Sequence, residues 1–213
     1  MAKKKIKKKD KRQDKQLRYV LIAIGIILVV IVGAYFYIES LKNFEFLGLK
    51  WQKINENGLK LYYIVMPITQ DNGQTILYPL YLRNDPRKLD LSPIEYLRSD
   101  TPAYVSISPS ASGSGDACKK GNVAFIELGK FLTGMGLNFK NALADKNQSE
   151  EFNRPYITCD DAGDKTVLLF EGGNKTEIVK EGECYKIRIS NCEVIKATET
   201  VIVSSIATSR GYI

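Results

Sequence analysis

The sequence predicts an α+β domain that follows one membrane-spanning helix, and three patterns carry that reading. The 20 residues from Tyr19 to Ile38 hold no charge, and 13 of them are Val, Leu, Ile or Phe. In the first part of the chain beyond them, apolar and polar residues alternate between Asn/Gly turns, which is the signature of an antiparallel β-meander. The later part passes between helical spacing and short β-branched runs, giving a βαβ-like unit, a β-hairpin and a C-terminal helix.

The apolar run sets the organisation of everything else. A helix of that length spans about 30 Å, the hydrocarbon thickness of a bilayer. Its 13 large aliphatic and aromatic residues together favour insertion by about 4 to 8 kcal/mol. Residues 1–18 carry ten Lys or Arg against only Asp10 and Asp14, a local charge of +8. Positive flanks stay in the cytoplasm, so the tail is expected inside and Glu39 onward outside. The rest of the chain holds 21 basic and 22 acidic residues. The high pI therefore belongs to the tail, and no nucleic-acid partner is expected.

Val32-Gly33-Ala34 offers a small-residue site at which a signal sequence could be cut. The run is longer than the roughly 7 to 15 residues of a signal core, and Tyr35, Phe36 and Tyr37 stand where an interfacial aromatic belt belongs. A retained anchor is the expectation. It divides the chain into a basic cytoplasmic tail (1–18), a transmembrane helix (19–38), a stalk (39–43) and an extracytoplasmic domain (44–213). The lipid bilayer is the first expected partner, with the tail lysines close to anionic headgroups.

In the outer domain, Phe44 to Ile54 alternates with a change of phase at Gly48, as a β-bulge would give. Asn57-Gly58 predicts a hairpin into Leu59 to Met66, and Asp71-Asn72-Gly73 a second turn into Thr75 to Leu82. Pro79 cannot donate to a ladder and marks that strand as an edge. A three-stranded meander results. Next, Tyr81-Leu82-Arg83-Asn84-Asp85-Pro86-Arg87-Lys88 reads first as a solvated turn, since a residue before proline is pushed out of helical geometry. It also reads as a small binding site of Arg83, Asp85 and Arg87, in which the two guanidinium groups fork onto a carboxylate or phosphate. Ser92-Pro93 predicts the cap and first position of a short helix to about Leu97.

This string, Phe44-Glu45-Phe46-Leu47-Gly48-Leu49-Lys50-Trp51 before it, and Asn191-Cys192-Glu193-Val194-Ile195-Lys196-Ala197-Thr198-Glu199 near the end together carry a likeness. The sequence resembles uncharacterised single-pass membrane proteins of small-genome archaea that have a Lys-rich tail and a cysteine-bearing outer domain. The resemblance covers most of the outer domain. It implies an archaeal source and a membrane compartment, and it carries over no activity and no functional residue.

Ala103 to Ile107 reads as a buried strand, Ser108 to Gly115 as a Ser/Gly loop, and Asn122 as the start of a helix. Phe125, Leu128, Phe131, Leu132 and Met135 keep helical spacing, and Gly134 and Gly136 end the helix. Leu137 to Ala142 completes the βαβ unit. A loop between a strand's C-terminal end and a helix N-terminus is a common ligand position, which makes Ser110 and Ser112, with Ser108 and Ser114, candidates for an anion site. Asp160-Asp161-Ala162-Gly163-Asp164 lacks the spacing of a calcium loop and is read as a turn. Thr166 to Glu171 and Thr176 to Val179 are expected to form a hairpin across Gly172-Gly173-Asn174, followed by a strand from Tyr185 to Ser190 and a helix from Glu193 to Thr208.

All four cysteines lie beyond the span, on the oxidising side if the topology holds. Six extended residues cover about 20 Å, so Cys184 and Cys192, at opposite ends of one strand, are out of disulfide reach. Cys118 and Cys192 follow strand ends while Cys159 and Cys184 precede strand starts. With those strands parallel, the expected pairs are Cys118 with Cys192 and Cys159 with Cys184. The chain has no histidine, which excludes a Ser-His triad and His-ligated metals, and neither a cofactor nor a metal is expected. Asn147-Gln148-Ser149 and Asn174-Lys175-Thr176 are sequons expected in loops, making Asn147 and Asn174 candidate glycosylation sites. The functional expectation is a membrane-anchored outer domain for binding or envelope structure, with another envelope protein as a possible partner class. The alternative is an outer-face hydrolase or transferase using Arg83 and Arg87 or the serine loop.

Overall fold

A computed structural model of the chain describes residues 2–69, 73–95, 102–112 and 121–213. Helix α1, Ala2–Lys42, forms one unit of the chain through residue 44. Within it, Leu17–Ser40 is long and apolar enough to cross a membrane, and none of it is buried against protein. The stalk expected at 39–43 is helical through Lys42. The second unit, residues 45–213, is an α+β domain built on two sheets.

The first sheet has four antiparallel strands in the order β1 (Asn43–Phe46), β2 (Leu49–Glu56), β3 (Leu59–Thr69) and β4 (Thr75–Leu82). The phase change at Gly48 is a hairpin rather than a bulge. Leu47 and Gly48 both take positive φ, 55° and 65°, and a two-residue turn with that twist reverses the chain. A left-handed leucine costs about 1 to 2 kcal/mol, and burial of its side chain offsets this. Asn57 and Gly58, also at positive φ, close the next hairpin between Glu56 and Leu59. Of the second turn, Asp71 and Asn72 lie outside the described residues, and Gly73 is left-handed. Pro79 sits on β4, an edge strand, opposite Val65.

The second sheet has the order β6-β5-β7-β9-β8, formed by β5 (Ala103–Ile107), β6 (Phe139–Leu143), β7 (Val167–Gly172), β8 (Glu177–Glu181) and β9 (Cys184–Ile189). The first four strands in that order run parallel and β8 is antiparallel to β9. Between β5 and β6 come a one-turn helix α2 (Pro109–Ser112) and helix α3 (Asn122–Gly134), so the βαβ unit is present. Ala124, Leu128, Phe131 and Leu132 are buried on it, and backbone bonds from Met135, Gly136 and Leu137 to Phe131, Thr133 and Leu132 close its end around left-handed Gly136.

Val167 to Gly172 does not pair with β8. Val167, Leu168, Leu169 and Phe170 are all buried, the pattern of an interior parallel strand covered on both faces, and β7 lies between β5 and β9. The hairpin is instead β8 with β9, turning at Gly182-Glu183. Gly172 and Gly173 are needed for close packing: a β-carbon would lie 2.8 Å from the Ser110 carbonyl oxygen at the first and 2.8 Å from the Arg188 β-carbon at the second.

One face of this sheet carries Tyr104, Val167, Leu169 and Cys184 and is covered by the polar stretch between β6 and β7. That stretch contains helix α4 (Lys146–Glu151) and a single 3-10 turn at Cys159–Asp161. The other face lies under α3 and the C-terminal helix α5 (Val194–Ser209), with Phe125 edge-on to Phe170 at 5.0 Å between ring centroids. The Cys159–Cys184 disulfide, with Cα atoms 5.3 Å apart, fixes the 3-10 turn to the start of β9. Cys192 is disulfide-bonded as well, and Cys118, the partner expected for it, lies outside the described residues. Closing a 25-residue separation stabilises a fold by about 3 kcal/mol in the chain-entropy account. A Cys159→Ser, Cys184→Ser double variant is accordingly expected to lose about 3 kcal/mol of unfolding free energy in urea titrations, and a loss below about 1 kcal/mol would contradict this assignment of the bond's worth.

Candidate functional site

The densest long-range polar contacts join α5 to the chain that follows β4. Helix α5 is buried through most of its length, including Thr198, Glu199, Thr200, Ser204 and Ser205. Polar groups on a buried helix need partners. Thr198, Thr200 and Ser205 donate back to carbonyls one turn earlier. The others hold residues 83–95. The Glu199 carboxylate, 6 % exposed, accepts from the Arg83 backbone N–H, from Asn84 N at 2.9 Å and from Asn84 Nδ2 at 2.6 Å. Ser204 Oγ accepts from Ser92 N at 3.1 Å and Thr208 Oγ1 from Ile94 N at 3.0 Å. Tyr185 on β9 accepts from Glu95 N at 2.8 Å and donates to the Glu95 carbonyl at 3.2 Å.

Residues 91–95 are not helical, so the short helix expected from Ser92 is not seen over them. The N–H groups of Ser92, Ile94 and Glu95 donate to side chains of α5 and β9, and Tyr96 and Leu97 lie outside the described residues. Serine and proline fit a helix start, but Ser92 caps no helix among the described residues.

The binding residues expected around Asp85 are brought together only in part. A 3-10 turn at Pro86–Lys88 is capped by Asp85, whose carboxylate accepts from Arg87 N at 3.2 Å, Nε at 2.9 Å and Nη2 at 2.6 Å. The Arg87 hydrogen bonds hold the Asp85 carboxyl below its ordinary range, with its partial burial working the other way. Arg87 thus forks onto a carboxylate of its own loop. Arg83 lies apart from that pair and lines a cavity of about 320 Å³ with Leu59, Tyr81, Glu127, Ile195 and Glu199. Glu199 has no counterpart in the expectations drawn from sequence: a glutamate in a β-branched run reads as the polar face of a helix, and only its burial reveals its work.

The serine candidates tie strands together. The Ser108 and Ser110 hydroxyls are 2.9 Å apart, and Ser110 Oγ accepts from Gly172 N at 3.0 Å, pinning the end of β5 to the end of β7. Ser112 ends α2, and Ser114 lies outside the described residues. Of the sequons, Asn174 is exposed in the β7–β8 connection, whereas Asn147 lies on α4 rather than in a loop, since Asp145 caps a helix there by accepting from Gln148 N. Among the described residues no group of three or more His, Cys, Asp or Glu could hold a metal ion.

Chemically, the cavity wall offers one buried carboxylate beside one arginine. Burial raises the Glu199 carboxyl above its ordinary value, while the donors from Arg83 and Asn84 pull the other way. Compared with known proteins, the chain matches no protein family, no curated protein and no solved structure.

A raised native value means that the folded state holds the Glu199 proton more tightly than the unfolded chain does. Its contribution to stability is complete below the ordinary value of 4.5 and is lost as pH rises through the raised one. Urea unfolding of the wild type and Glu199→Gln, followed from about pH 4 to about pH 8, should show the wild type losing stability relative to the variant with increasing pH. Parallel curves would contradict the assignment.

Proposed function

We propose that this chain is a single-pass membrane protein, amino terminus in the cytoplasm, that holds an α+β domain on the outer face of the cell membrane for binding or for envelope structure. The observation that carries the reading is the 24-residue apolar helix Leu17–Ser40, none of it covered by protein, behind a tail of net charge +8. The positive-inside tendency orients it. The Cys159–Cys184 bond supports an oxidising compartment for the domain. The resemblance carried by the three sequence strings adds an archaeal envelope as the setting.

Binding is favoured over catalysis because the groups with chemical potential are already engaged. Arg87 is held by Asp85, both Glu199 oxygens accept from the 83–84 backbone, and the Ser110 hydroxyl holds β7. An enzyme is the second reading, favoured by one observation: a carboxyl with a raised affinity for its proton shares a cavity with Arg83.

Two measurements test the proposal. Protease added to intact cells should digest the disulfide-bearing domain and leave a short membrane-held fragment, whereas full protection would reverse the orientation. Crosslinking in native membranes, with mass-spectrometric identification of neighbours, should return a reproducible envelope partner. If it returns none, and the purified protein turns over phosphate or acyl ester substrates in a Glu199-dependent way, the enzyme reading replaces this one.

A further inference from the structure

A second depression on the domain has the makings of a peptide site. It is a groove of about 950 Å³ between β4 and β6, floored by α3 and lined by Ile76, Tyr78, Phe125, Ile126, Phe139 and Arg154. Glycines on the floor let the walls come close. A β-carbon at Gly129 would lie 2.9 Å from the Phe139 ring, and one at Gly134 would lie 2.9 Å from the Tyr78 ring.

One wall is an open sheet edge. Strand β6 is the last in its sheet, and among the described residues its one ladder is with β5. Ala103 N donates to the Asn138 carbonyl and Ala144 N to the Ile107 carbonyl, so the even-numbered residues of this strand turn their backbone groups toward β5. By alternation the backbone N–H and C=O groups of Phe139, Asn141 and Leu143 turn outward. Those of Leu143 are satisfied: its N–H donates to the Pro155 carbonyl and its carbonyl accepts from Ile157 N, in a parallel bridge with Tyr156. Those of Phe139 and Asn141 have no protein partner among the described residues. The chain therefore occupies one end of the lane beside β6 and turns out of it at Arg154, and no other described residue fills the rest. The Arg154 side chain lines the groove and makes no ion pair or hydrogen bond among the described residues.

An unpaired edge, apolar walls and an unneutralised guanidinium define a ligand. We propose that the groove receives the carboxyl-terminal segment of an apolar peptide, which adds to β6 as a parallel strand and seats its terminal carboxylate on Arg154. Strand addition supplies main-chain bonds at Phe139 and Asn141, and the apolar walls take side chains on one side of the strand. A peptide running in the same direction as Pro155–Ile157 points its C-terminus at the place where that segment enters the lane, which is where Arg154 stands. A charge-assisted hydrogen bond there distinguishes a chain end from an internal segment. The inference deepens the binding reading by naming a ligand class. It does not depend on which side of the membrane the domain faces, so a failed peptide titration and a failed topology experiment are separate results.

The test uses the full-length protein in nanodiscs and fluorescein-labelled octapeptides of alternating Val or Ile with Ser or Thr. Each peptide is made with a free and an amidated C-terminus. Anisotropy titration should give saturable binding of the free acid and at least about tenfold weaker binding of the amide. Arg154→Gln should erase that preference. Asn141→Pro, which removes a donor the fold does not use, should abolish binding while thermal unfolding stays cooperative. The amide protons of Phe139 and Asn141 should become protected from exchange when peptide is bound. Equal binding of acid and amide, an undiminished preference in Arg154→Gln, unprotected amides at saturation, or no binding by about 1 mM peptide would each overturn the proposal. So would displacement of the peptides by lipid added in micelles without protein, because an acyl chain would then be the better occupant.

Discussion

The domain depends on the polar groups of a helix that is buried on nearly every side. Helix α5 lies against β9, α3 and the turn at Pro86–Lys88, and a helix in that position must satisfy its hydroxyls and carboxylate inside the protein. It does so partly by bonding to its own previous turn and partly by capturing the backbone of residues 83–95. The gain is mutual. Apart from the 3-10 turn at Pro86–Lys88 the captured segment has no helix or strand, and Glu199, Ser204, Thr208 and Tyr185 accept from the N–H groups of Arg83, Asn84, Ser92, Ile94 and Glu95. No buried side-chain polar atom is left without a partner among the described residues. One carboxylate receiving three N–H donors is the strongest of these attachments, since hydrogen bonds to a charged acceptor exceed neutral ones.

That arrangement decides what the surface can do. Glu199 is committed to the 83–84 backbone, and the cavity beside Arg83 is mainly an apolar recess with one arginine and the Glu127 and Glu199 carboxylates in its wall. The larger groove across α3 is similar in kind, with exposed apolar side chains and Arg154. The composition of the larger groove is the basis of the proposal that it receives an apolar segment with an anionic end. The disulfide between the 3-10 turn and β9 holds the opposite face of the sheet, so the two faces are secured by different chemistry.

Much of the architecture was legible because it rests on local or one-dimensional signals. The membrane-length helix follows from an uncharged run, the Asn57-Gly58 hairpin from two residues that tolerate positive φ, and the edge position of β4 from Pro79. Even the Cys159–Cys184 bond followed from strand ends and a parallel sheet. What escaped depends on tertiary context. Leu47 gives no sign that burial will hold it in a left-handed turn, so a hairpin looked like a bulge. Gly172-Gly173-Asn174 resembles a hairpin loop, yet those glycines serve close contacts with Ser110 and Arg188. Ser92-Pro93 resembles a helix start, yet residues 91–95 are not helical and the N–H groups of Ser92 and Ile94 go to acceptors more than a hundred residues away. Of the candidate site, the Asp85–Arg87 pair was visible in its spacing, while Glu199 became visible only when the strings around Arg83 and Glu199 met in the fold.

Native-state hydrogen exchange on the full-length protein tests this account of α5 most directly. If side chains of the buried helix and of β9 hold residues 83–95, the amides of Arg83, Asn84, Ser92, Ile94 and Glu95 should exchange nearly as slowly as those in the interior of β7, although they belong to no helix or strand. Exchange at the rate of an open surface loop would contradict it.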